Sequence, residues 1–177
     1  MAMVTWAEFE ADDPGLAAAV ARHWPGISAL QRGDSVGDAG DVFSIAYLAT
    51  VRRDGAPRVH PFCPILAGGR LFAAIPRSSP KGWDLRRDPR CVIHALPGPD
   101  DDELCIRAIA REVIDAATRA LVRDIVVGSG VGGMVETVTN DALFEFDLEQ
   151  VDVARWLDVG QPGTRAERHQ WRPATLA

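Results

Sequence analysis

From residue 43 onward, short apolar runs alternate with clusters of glycine, proline and acidic residues, and their spacing lays out a series of strands. Residues 43–51, FSIAYLATV, are aromatic, small or β-branched and uncharged, which predicts a strand buried on both faces. Arg53-Asp54-Gly55-Ala56 then supplies an Asp-Gly pair, which tolerates the positive φ of a tight hairpin turn. Over 57–66 the pattern has period two: Val59, Pro61, Cys63 and Ile65 fall on one face, expected to be core, and Arg58, His60, Phe62 and Pro64 on the other, which starts polar. Pro57, Pro61 and Pro64 each remove a ladder donor, so this strand should be irregular or lie at an edge. Ala67-Gly68-Gly69 predicts the next turn, and Leu71, Ala73 and Ile75 the inward set of a third strand.

Further strands follow at 91–96, 103–113, 142–148, 151–157 and 165–173. In 103–113, Leu104, Ile106, Ala108 and Ala110 point inward while Arg107 and Arg111 share the other face, where Arg107 reaches either solvent or a ligand or partner. The segment from Pro97 to Asp102 predicts a solvated acidic turn, since its triplet lacks the spacing of a calcium loop. Gln161-Pro162-Gly163 is a further turn.

Period 3.6 replaces period two in two places. Asp13 caps a helix over 13–24, with Pro14 at its first position, Leu16, Val20 and Trp24 on one face and Pro25-Gly26 as its stop. Asp115 starts a second helix, with Ala117, Leu121 and Ile125 at four-residue spacing. The segment 128–133 matches G-x-G-x-x-G, but it lacks a preceding strand and a following βαβ unit, so a flexible loop is expected, one able to fold over the active site. Residues 31–41 read as a loop leading into the strands.

Composition adds limits. A length of 177 residues suits one domain, able to bury about 70% of its extended-chain surface. The net charge of −6 argues against nucleic acid or an anionic membrane as main partner, although Arg77, Lys81, Arg86, Arg87 and Arg90 gather locally. Three cysteines, Cys63, Cys91 and Cys105, fall in predicted strands and are expected to be reduced thiols of a cytoplasmic protein. The N-terminus carries Glu8, Glu10, Asp12 and Asp13, unlike a secretory signal. The four histidines show no metal-ligand spacing, and no G-x-S-x-G elbow is present.

The chemistry concentrates at the end of the third strand. Ser79 suits an N-cap and Pro80 a first helical position, so backbone donors, two hydroxyls and Lys81 converge. Two readings stand at this point: a phosphate cradle, or an ordinary capped surface helix with solvated cations.

The run LATVRRDGAPRVHPF, a glycine turn and short strand, then SSPKGWDLRRDPRCVIHA and LCIRAIAREV, together resemble the pyridoxamine 5′-phosphate oxidase-like split barrels, which bind FMN or the deazaflavin F420. The resemblance covers about 43–113. It implies a mainly β fold: a six- to eight-stranded antiparallel split barrel with peripheral helices. The lead-in would occupy 1–41, the core strands 43–113, the helix and glycine loop 115–133 and the final strands 142–173. It further implies a flavin phosphate held by Ser78, Ser79 and Lys81 beside Ile75 and Pro76, and a ring along Arg58, Val59, His60 and Pro61. Trp171 and Arg172 would approach the flavin or substrate, and the sites would form at a homodimer interface. His60, which titrates near neutrality, is the candidate catalytic side chain, its alternative being a structural barrel histidine. The implied activity is hydride transfer to or from a small organic substrate with FMN, or alternatively F420. A non-catalytic module holding flavin or haem is the competing class.

Overall fold

The computed structural model describes residues 3–24, 45–95, 102–128 and 132–174. Strands β1 (Ala46–Val51), β2 (Pro57–Phe62), β3 (Ile65–Ala67), β4 (Arg70–Ile75), β5 (Arg90–Ala95), β6 (Glu103–Glu112), β7 (Ala142–Leu157) and β8 (Arg165–Trp171) form one sheet. The order is β2-β1-β5-β6-β7-β4-β3, every pairing is antiparallel, and β8 pairs β7. Helices α1 (Trp6–Asp12), α2 (Pro14–His23), α3 (Pro80–Arg87), α4 (Ala116–Gly128) and α5 (Gly132–Asn140) lie around it.

The sheet is coiled. Phe62 on β2 and Phe146 on β7 stand four strands apart along the sheet, which in a flat sheet would separate them by about 19 Å. Their ring centroids are 6.1 Å apart. Inward side chains of β1, β2, β4, β5, β6 and β7 therefore meet in a single core with Phe9, Leu16, Val20 and Trp24 of the N-terminal segment. A second apolar cluster, built on Phe72, Val113, Val122, Val126, Val138 and Leu143, lies beneath α4 and α5. β4 supplies both clusters, because Leu71, Ala73 and Ile75 face the first and Phe72 the second.

Several expectations hold. The hairpin turn has Gly55 at φ 84°, β2 is an edge strand, and α2 is capped by Asp13, whose carboxylate accepts from Leu16 N at 2.9 Å. Others need correction. The first strand is not buried on both faces: it alternates, with Tyr47 exposed. The two strands expected over 142–157 are one, because the register opposite Arg107 and Ala108 passes from Gln150 to Leu148 and leaves Glu149 as a bulge residue. That extra residue breaks the alternation. On α4 the buried positions are Val122 and Val126, with Leu121 exposed. Asp102 is buried beside Arg22, 3.6 Å away, although a solvated turn was expected there. Helices α1 and α5 had no counterpart in the sequence reading. The loop at 31–41, the turn at 97–101 and the glycine segment at 129–131 lie outside the described residues.

Candidate functional site

The chain leaves β4 through Pro76, turns with Ser79 N donating to Pro76 O at 2.8 Å, and enters α3. Ser79 has the extended backbone of an N-cap, but its hydroxyl makes no capping bond; its carbonyl accepts from Gly82 N and Trp83 N instead. The helix packs on the end of β4, and a Cβ on the buried Gly82 would stand 3.4 Å from Ile75 Cγ2, at contact distance. Lys81 thereby points at the edge strand, and its Nζ donates to the Pro61 carbonyl at 2.8 Å. Burial pulls this ammonium's pKa below the usual lysine range.

One turn later Asp84 is buried against β1 and β2. Its carboxylate accepts from Arg58 Nε at 2.7 Å, Thr50 Oγ1 at 3.1 Å and Arg87 Nη1 at 3.2 Å. Burial works against the charge, yet these bonds prevail and hold the carboxyl below its ordinary pKa. This arrangement inverts the expected faces of β2. Arg58, His60 and Phe62 are the more enclosed set, while Val59 and Pro61 are exposed. The reason is local: Phe62 fills the core and Asp84 gives Arg58 a buried partner, so the apolar Val59 is turned out.

His60 lies next to this network. Its Nε2 is buried without a hydrogen-bond partner among the described residues. Burial, then the nearby Lys81 and Arg58 charges, lower its pKa, with Asp84 opposing. Near neutral pH the ring is uncharged. Arg58 and Arg87 thus pair with the one Asp84 carboxylate while Lys81 binds the Pro61 carbonyl, and a chain of net charge −6 carries a local, half-enclosed excess of positive charge. An anion is the natural complement.

The structure brings Arg58, His60, Pro61, Ser79 and Lys81 to the β2–α3 junction. Ser78 and Pro76 are exposed in the turn before it, and Ile75 belongs to the core. Trp171 is buried against Phe9, with ring centroids 5.0 Å apart, which ties it to α1; Arg172 is exposed just after it. Asp84, Thr50 and Arg87 were missed as site residues. The i,i+3 spacing of Asp84 and Arg87 was a usable signal for two of them, while nothing local marks Thr50.

The outer face of the sheet beside this junction carries Tyr47, Val59 and, just before β1, Ile45, all exposed. It continues into a depression of about 430 Å³ whose walls include Ala49, Val51 and Val92, with Arg90, Arg107 and Glu149 also lining it. Arg107 is exposed and lies 3.7 Å from Glu149.

Solved structures share this architecture. The haem storage protein HutZ of Vibrio cholerae is 20% identical, with a TM-score of 0.52 over 60% of this chain and 82% of that one. A Clostridium acetobutylicum protein related to general stress protein 26, of the pyridoxinephosphate oxidase family, gives a TM-score of 0.54 at 10% identity, over 76% of this chain and 89% of its own. The fold is the pyridoxamine 5′-phosphate oxidase-like split barrel. A haem-binding protein of Mycobacterium smegmatis has the same split barrel, at 19% identity and TM-score 0.53, covering 84% of this chain and 57% of that one. No protein-family model matches the sequence, and no curated protein matches it.

Proposed function

We propose that this split barrel is an FMN-binding oxidoreductase acting as a homodimer, with hydride transfer to or from a small organic substrate. The observation that carries the reading is the cation excess at the β2–α3 junction, where Lys81, half-buried and aimed across the edge strand, stands beside a histidine nitrogen with no partner among the described residues. These residues fit a phosphate monoester. Lys81 would hold it by a charge-assisted bond, Arg58 would add a second positive charge anchored on Asp84, and Ser79 would offer its hydroxyl, which makes no capping bond. FMN, when bound, supplies the redox chemistry; the chain's contribution is to orient it and limit water. The apolar outer face of β1 and β2, with Val59 and Tyr47 59% and 41% exposed, suits a second copy of the chain.

A second reading shares the same anion chemistry: a non-catalytic module for haem, whose carboxylates would meet the same cations. It is favoured by the likeness to HutZ and to the mycobacterial haem-binding protein. F420, with its phosphodiester, is the remaining candidate.

The test is the visible spectrum of the purified protein, followed by titration of the cofactor-free form with FMN, F420 and haem. The expected result is preferential FMN binding, weakened about 10- to 100-fold in Lys81→Ala, as removal of a charge-assisted bond predicts. Preferential haem binding without turnover would replace the oxidoreductase reading with the storage one, and preferential F420 binding would move the protein to deazaflavin chemistry.

A further inference from the structure

We infer that His60 is the proton-linked donor of the anion site and sets its preference for a phosphate monoester over a phosphodiester or an uncharged flavin. This rests on the FMN reading above and assigns how the site discriminates.

The geometry starts from Nε2. Among the described residues three buried side-chain polar atoms lack a partner, Trp24 Nε1, Asp102 Oδ1 and His60 Nε2, and the last is the one whose charged neighbours are Lys81 and Arg58, where an anion would complete it. The charged groups facing it are Lys81 and Asp84 from α3 and Arg58 from its own strand, while β1 places Leu48 opposite. Cys63, just past β2, couples to Lys81, and its thiol is pushed up in pKa by burial, so it brings no negative charge at neutral pH.

In the free protein, two cations and burial outweigh one carboxylate, and the imidazole stays neutral. An anion held by Lys81 beside Pro61 reverses that field at the adjacent residue. His60 then takes a proton from solvent, both ring nitrogens become donors, and the orphan Nε2 gains an acceptor. The coupling grows with ligand charge. A phosphate monoester, with a second pKa near about 6, is mostly dianionic at neutral pH. A diester carries one charge, and riboflavin carries none.

The experiment is calorimetric titration of the whole protein with FMN and with riboflavin at pH 7, in two buffers of different protonation enthalpy. It is repeated on His60→Gln, which keeps a donor but cannot titrate. Expected is a fractional proton uptake per FMN in the wild type that exceeds the variant's, and no uptake with riboflavin. Between pH 7.5 and 6.5 the ratio of wild-type to variant FMN affinity should rise by up to about tenfold, the limit for one linked proton. The His60 ring resonance of the unmodified protein, titrated with and without FMN, gives a second measure that needs no variant; its midpoint should rise by about one unit or more on binding. Equal proton uptake in both proteins, or an unmoved midpoint, overturns the role of His60 while leaving FMN binding intact. Failure of FMN to bind the wild type overturns both.

Discussion

Replacing Asp84 with alanine would leave two guanidinium groups and the Thr50 hydroxyl around a buried position with no acceptor. Removing one partner of a buried ion pair costs about 3–5 kcal/mol. The low end applies here, because the Arg58 and Arg87 side chains remain 27% and 37% exposed. Urea denaturation should therefore show Asp84→Ala less stable by about 3 kcal/mol. The acid dependence has a definite sign. The folded pKa of Asp84 lies below its unfolded value of about 4, so its stabilisation is present above that pH and is lost as pH falls through the folded pKa. Asp84→Asn, which does not titrate, should flatten the fall in unfolding midpoint between about pH 5 and 3. An unchanged acid limb would remove Asp84 from the account of acid stability.

Among the elements, α1 is held by one turn as well as by Phe9 in the core. Ala7 N donates to Gly69 O at 2.8 Å, Gly69 has φ 69°, and a Cβ on it would stand 2.8 Å from Ala7 Cβ. Gly69→Ala combines left-handed strain with a clash against α1, and should destabilise the protein by about 1–3 kcal/mol, seen as a lowered Tm. A wild-type Tm would mean that α1 docks without this contact. The Gly68-Gly69 turn was plain in the sequence, yet its service to α1 was not, because the partner is some sixty residues away. The same division recurs elsewhere. Period-two patterns located β4, β5 and β6, where one face meets the core and the signal is strong. β2 misled because its enclosed arginine is satisfied by α3: Arg58 reads as an outward side chain until Asp84 is placed beside it. The bulge at Glu149 shifted the phase of β7 and made one strand look like two. Thr5 and Glu8 form a capping box that announces α1, a local signal that was present and overlooked. The start of α3 followed from Ser79-Pro80, and the meeting of Lys81 with β2 only from the family resemblance, whereas the enclosure of His60 depends on burial that only the assembled sheet supplies.

At the scale of the molecule, the exposed apolar strip of Ile45, Tyr47 and Val59 bears on assembly. If this face joins two chains, sedimentation should give twice the 19.1 kDa chain mass. Val59→Arg should shift the protein toward monomer and weaken FMN binding with it, since like charges would meet across a two-fold contact. A monomeric wild type would exclude that interface.

The two apolar clusters divided by β4 also bear on how the molecule comes apart. The smaller one joins α4 and α5 to the outer side of β4 and the start of β7, and involves few of the residues that close the barrel. Such a layer can open while the barrel stays shut, as a cooperative unit with its own free energy. Hydrogen exchange should therefore separate the amides: those of Val122, Val126 and Val138 exchanging together and early, those of Ile93, Ile106 and Leu148 only with global unfolding. A single common rate would mean that the helical layer and the barrel unfold as one.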